Sequence, residues 1–164
     1  MNEVMNKCLL GICLLIISTF GFAEQQTWYF VRHFEKQLGD NPSLTKKGKA
    51  RAEALAAFFS DKPLNHIYST DYNRTLETAA PVAALKSVEI QSYDPRNLVY
   101  FASKIKAQKY VLVVGHSNTT PELLDLMDGA SITIKESEYG ELYIVKHNGL
   151  EFSSNSFHIS LKLP

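Results

Sequence analysis

Beyond Cys13 the chain contains no cysteine. Its two cysteines, Cys8 and Cys13, lie in one apolar run near the N-terminus, so the body of the protein offers neither a disulfide nor a thiolate. Cysteine nucleophiles and thiolate-bound metal centres are thereby excluded. A net charge is also missing, because 17 Lys and Arg balance 17 Asp and Glu. Neither nucleic acid nor an acidic membrane surface is therefore indicated as a partner, and any anion must be held by a local cluster of cations. Repeats, linkers and low-complexity stretches are absent. The length of 164 residues and 45 % hydrophobic content fit a single globular domain with its own core.

One long apolar run is present. In "MNKCLLGICLLIISTFGFA", residues 5 to 23, Lys7 precedes an apolar stretch from Cys8 to Phe20, and Gly21-Phe22-Ala23 follows. That order is the order of a secretory signal, with cleavage expected after Ala23. The run is too short for a comfortable membrane span, and a polar chain follows at once; a retained anchor is the competing reading. Ile12 is a poor residue to precede a lipid-modified Cys13, so lipidation is not expected. Met5 serves as well as Met1 as a start. The expectation is a periplasmic or secreted domain, residues 24–164, with no stable membrane association after cleavage. Its roughly 140 residues suffice for a core without disulfide staples.

Within that domain, Thr27-Trp28-Tyr29-Phe30-Val31 is aromatic and β-branched, which predicts a buried strand ending in Arg32-His33. "LTKKGKARAEALAAFFSDKP" predicts a helix capped by Thr45 and stopped by Pro63. "LNHIYST" reads as a strand, and "DYNRTLETAAPVAAL" as a helix that Pro81 should kink or restart. "VEIQSYDP" is extended, "RNLVYFASKIKAQ" helical, and "YVLVVGHS" a strand apolar enough to be buried on both faces. "TTPELLDLMDG" opens a helix with Pro121 and Glu122 in its first turn and Gly129 past its end. The tail alternates around Asn148-Gly149, which predicts a hairpin. Strands alternating with helices indicate an α/β sheet, mostly parallel, with that C-terminal hairpin at one edge.

Three of these segments carry groups suited to phosphate: Arg32-His33 at a strand end, Arg74 early in a helix after a strand, and His116 between a strand and a helix. Parallel strands present their C-terminal ends on one side of the sheet, so the four residues can converge there. Two guanidiniums can clamp phosphoryl oxygens, one imidazole can attack in line, and a second imidazole with helix-start amides can bind the developing charge. Against this stands the bland reading of Arg32-His33 as a surface arginine beside a half-buried, hydrogen-bonded histidine.

The segments "VRHFEK", "SLTKKGKARAEALA", "IYSTDYNRTLETA", "YDPRN" and "VLVVGHSNTTPELL" together resemble the histidine phosphatase superfamily, the phosphoglycerate-mutase-like proteins. The resemblance runs in family order over most of residues 27 to 128. It implies a three-layer α/β/α sandwich, no metal requirement and no cofactor. It also implies that His33 is the phosphorylated nucleophile and that Arg32, Arg74 and His116 form the phosphate pocket. Ser117-Asn118 would add backbone amides, and Thr70 takes a position that is often Ser. Where the family usually has Gly after Arg-His, Phe34 stands here, a ring expected to line the pocket mouth or to narrow it.

The general acid is expected in mid-chain, where Asp94 of "SYDPRN" competes with an ordinary turn carboxylate before Pro95. Glu35 is a second candidate, or an anchor for an arginine. Glu77 either braces Arg74 or makes a plain helix-surface pair, and Lys36 is a rim charge or a solvated side chain. His66, His147 and His158 have no partner motif. His33, Glu35 and His116 as a Zn²⁺ set is disfavoured by the two arginines. The reading is an exported phosphatase acting on a small phosphomonoester or phosphoramidate through phospho-His33. Its rival is a non-catalytic module that keeps the fold and binds a phosphosugar or glycan. The substrate itself, the oligomeric state and the pathway are not legible in the sequence.

Overall fold

The computed structural model describes residues 25–161, so the expected signal segment and its cleavage site lie outside the described residues. In chain order the elements are β1 (Gln26–Arg32), α1 (Lys46–Phe58), β2 (His66–Ser69), α2 (Asn73–Lys86), β3 (Ile90–Ser92), α3 (Leu98–Lys106), β4 (Val111–Gly115), α4 (Thr119–Leu126), β5 (Glu141–His147) and β6 (Phe152–His158). They form one six-stranded sheet in the order β3-β2-β4-β1-β5-β6. The first four strands of that order run parallel, while β5 and β6 pair antiparallel at the far edge as the Asn148-Gly149 hairpin. The sandwich, the mostly parallel sheet and the edge hairpin are those expected.

The side-chain alternation of β1 and β4 builds two cores. Tyr29, Val31, Leu112 and Val114 face α1 and α2, among Leu55, Phe59, Ala79 and Val82. Trp28, Phe30, Val111 and Val113 face α3 and α4, among Phe101, Ile105, Leu123 and Met127. Both faces of the central strands are thus dry, which explains why their sequences are continuously apolar. The Trp28 indole N–H donates to the Ile105 carbonyl at 2.8 Å, and its ring stacks on Phe152 with centroids 6.3 Å apart.

Thr45 caps α1 as expected, its hydroxyl accepting from the Gly48 N–H at 3.1 Å. Gly48 has a further role. A Cβ there would lie 2.2 Å from the Glu35 carbonyl oxygen, so the first turn of α1 can rest directly on the loop that follows β1.

Two local expectations are corrected. Helix α1 ends at Phe58, before Pro63 is reached. Helix α2 runs unbroken through Pro81 to a left-handed cap at Ser87, so it does not restart there. Gly129 lies past the end of α4 as expected, and Asp128 before it is left-handed at φ 57°.

Candidate active site

Strand β1 delivers Arg32 to the C-terminal rim of the sheet, opposite Gly115 of β4. The His33 N–H extends this pairing by donating to the Gly115 carbonyl at 2.9 Å, which fixes the backbone that carries the imidazole. His33 Nδ1 lies 2.9 Å from the Phe34 carbonyl oxygen. A carbonyl can only accept, so Nδ1 carries the proton and Nε2 keeps its lone pair. Burial, the main cause, pushes the His33 pKa down to about 3; the Phe34 hydrogen bond opposes this, and Arg32, His116 and Arg74 add to the lowering. At neutral pH the ring is uncharged, with Nε2 available.

Arg32 is 3 % exposed. Its Nη1 donates to the carbonyls of Lys135, Glu136 and Glu138 at 2.9, 3.0 and 3.0 Å, and its Nη2 to the Glu136 carboxylate at 2.8 Å. The Tyr139 ring stacks under the guanidinium, 4.4 Å from Cζ to centroid. Arg74, in the first turn of α2, is likewise stacked on Tyr72 at 4.4 Å. Among the described residues, the buried side-chain N and O atoms without a hydrogen-bond partner are two: Arg32 Nε and Arg74 Nε. Two buried, unsatisfied guanidinium donors at one strand rim call for an anion.

His116 follows β4 and faces His33, with ring centroids 5.5 Å apart. Gly115 before it is tightly enclosed, since a Cβ there would meet Thr119 Oγ1 and the Tyr93 hydroxyl, both at 2.8 Å. His116 Nδ1 accepts from Arg74 Nη2 at 3.5 Å, so Nε2 carries the proton and donates to Thr70 Oγ1 at 2.9 Å. Thr70 passes its own proton to Thr75 Oγ1 at 3.1 Å, and Thr75 donates on to main-chain carbonyls. This relay of hydroxyls orients the imidazole. Burial, then Arg74 and Arg32, lowers the His116 pKa to about 4, while Glu136 works the other way.

The structure thus brings Arg32, His33, Arg74, His116 and Ser117 together, but not Asp94. Asp94 is exposed, and its carboxylate takes Arg96 Nε and Nη2, both at 2.9 Å, with the Arg96 N–H at 3.0 Å. Those hydrogen bonds hold its pKa down to about 2, the opposite of what a general acid needs. It lines a groove with Asp71, Tyr72 and Tyr93, of which Tyr72 also contacts Arg74 and His116. Glu35 is no better placed as an acid. Burial raises its pKa, but two hydrogen bonds from Arg51, at 2.8 and 3.1 Å, leave it lowered on balance. Glu35 is an arginine anchor, and the arginine is Arg51. Glu77 accepts from the Leu44 N–H at 2.9 Å and so ties down the loop before α1.

Phe34 corrects a second expectation. Its ring is 0 % exposed and packs with Leu44, Leu55, Ala56 and Phe59 in the core beneath α1. It neither lines nor narrows the pocket, and its backbone is not among the positive-φ positions. Past a strand end the period-two alternation stops, so the sequence did not say which way this side chain turns.

Glu136 and Tyr139 were not foreseen. Both lie in the irregular segment between α4 and β5, where no periodicity or spacing points at a partner. Among the described residues no three His, Cys, Asp or Glu side chains gather as a metal site would require.

Residues 28–95 match the sequence profile of the Histidine phosphatase superfamily (branch 1), a stretch that includes Arg32, His33, Thr70 and Arg74. A protein of Agrobacterium tumefaciens assigned as the phosphohistidine phosphatase SixA shares the fold with a TM-score of 0.64 at 21 % identity, over 80 % of this chain and 97 % of its own. The protein histidine phosphatase SixA complexed with tungstate gives 0.66 at 14 %, over 82 % and 97 %. A phosphoglycerate mutase from Bacillus anthracis gives 0.62 at 17 %, over 83 % and 94 %. No curated protein sequence gives a significant match. The profile match is confined to residues 28–95, and the fold of the described residues is the one these solved structures share.

Proposed function

We propose that this protein is an exported phosphatase that hydrolyses a small phosphomonoester or phosphoramidate through a covalent phosphohistidine on His33. The observation that carries the reading is the free Nε2 of a neutral, buried His33 beside two guanidiniums whose buried Nε–H groups have no partner. Arg32 and Arg74 hold the phosphoryl oxygens, and the His116 ring, fixed by Thr70 and Arg74, closes the side facing His33. His33 Nε2 forms a bond to phosphorus as the bond to the leaving group breaks, and the leaving group takes a proton from solvent. The imidazole becomes cationic, and its Nδ1–H bond to the Phe34 carbonyl stabilises that charge. Water then attacks phosphorus, the bond to Nε2 breaks, and inorganic phosphate departs as the water's proton passes to solvent. Export rests on the order of basic, apolar and small residues in residues 5–23.

Rapid quenching into base with labelled substrate tests the mechanism. Wild type should yield a base-stable, acid-labile phosphoenzyme, and His33→Ala none, with turnover reduced by roughly three orders of magnitude or more. A His33→Ala protein that keeps most of its activity would refute the covalent route.

A further inference from the structure

The pocket holds one carboxylate. Glu136 reaches Arg32 Nη2 with Oε2 at 2.8 Å, and its Oε1 accepts from the Ser117 hydroxyl. Arg32 ends β1 and Ser117 follows His116, so the side chain bridges two walls of the phosphate site from outside. The bridge is built, because its own loop is pinned underneath. Three carbonyls, of Lys135, Glu136 and Glu138, converge on Arg32 Nη1. The Glu138 N–H and carboxylate close a turn on Lys135, at 2.9 and 3.0 Å. Tyr139 then stacks on the guanidinium. The backbone is thus fixed while the Glu136 side chain stays 78 % exposed, so a carboxylate tied to both walls still faces solvent and whatever arrives.

We propose that Glu136 is a specificity-determining residue: a carboxylate strap between Arg32 and Ser117 that disfavours substrates with a second anion beside the phosphoryl group and favours those with a cation or hydrogen-bond donor there. The inference rests on the phosphatase reading for the identity of the bound phosphoryl group. The physical reason is local. Inside the pocket Arg32 and Arg74 outweigh the strap, so a phosphoryl group is still drawn in. A leaving group projects further out, past the exposed side of Glu136. A carboxylate on the leaving group is repelled there, whereas an ammonium or N–H is paired.

Phosphoethanolamine and phosphoglycolate make the comparison, since they differ little in size but place an ammonium or a carboxylate beside the same ester. Wild type should favour phosphoethanolamine in kcat/KM, and Glu136→Gln, which keeps the shape and loses the charge, should shrink that preference about tenfold. The change should lie mainly in phosphoglycolate KM. Ser117→Ala, which frees one end of the strap, should shift the preference in the same direction by less. A preference that stays within twofold in Glu136→Gln would overturn the proposal. Calorimetric binding of the two compounds separates the two readings. If neither compound turns over but Glu136→Gln still shifts their relative affinity, the strap stands and the phosphatase reading falls. If both turn over with an unchanged ratio, the strap alone falls.

Discussion

The attack proposed for His33 needs a neutral ring, and burial does most of that work, with Arg32, His116 and Arg74 adding to it. The same burial lowers His116. With folded values of about 3 and about 4 against a free value of 6.5, the unfolded chain binds protons first as pH falls. The stability contributed by the two neutral rings is therefore complete above pH 6.5 and lost progressively between there and pH 3. Side-chain NMR of labelled histidine should find both rings uncharged at pH 5.5. Rings that titrate near 6.5 would show that burial does not hold in solution.

At Phe34, replacement by the family's usual Gly removes a fully buried ring. Phe34→Gly should cost about 3 kcal/mol or more, read by denaturant unfolding, with the range of accepted phosphomonoesters unchanged. A widened substrate range would place the ring in the pocket after all. Two features kept the non-catalytic reading open, Phe34 and the unassigned general acid, and with Phe34 turned into the core the first of them falls away. Among single residues, the four pocket groups were legible because a polar residue at the end of an apolar strand has one place to go, the rim. Asp94 was not, since its partner Arg96 is two residues away and a local pair satisfied it. Nor was Glu136, whose position depends on a loop shaped by Arg32, over 100 residues earlier in the chain.

The elements show how closely the site depends on backbone packing. Gly48 lets α1 rest on the Glu35 carbonyl two residues beyond His33, and the Glu35–Arg51 pair fastens the same loop from the side. In an isolated helix Gly→Ala would stabilise by about 1 kcal/mol. Here the added methyl overlaps a carbonyl oxygen, and overpacking of that kind costs about 1–3 kcal/mol. Gly48→Ala should accordingly lower the melting temperature by several degrees and slow turnover. A Gly48→Ala protein with wild-type stability and rate would mean that the contact yields without cost. Element types were readable from periodicity, and Thr45 announced its helix. Pro81 misled because a proline removes one N–H and crowds one carbonyl, a local penalty that α2, packed on the sheet by Thr78, Ala79 and Val82, overrides.

For the whole molecule, the profile match ends at residue 95, yet the pocket is completed by His116, Ser117 and Glu136. The second half of the chain is therefore part of the site rather than support for it. Sequence order made the parallel sheet legible, but not that β4 inserts between β1 and β2, which is what sets His116 opposite His33. Export also belongs to this scale, for it concerns the chain and its surroundings. N-terminal sequencing of protein recovered outside the cytoplasm should begin near Glu24, and an intact chain starting at Met1 or Met5 would sink that expectation.

The one tryptophan of the sequence, Trp28, sits four residues before Arg32, about 13 Å away along β1. Its indole is tied to the last turn of α3 and stacked on the edge hairpin. The protein therefore carries a native fluorophore at the seam of three elements distant in the chain. Its emission follows the joining of central strand, back-layer helix and hairpin, and it lies well away from the pocket at the other end of the strand.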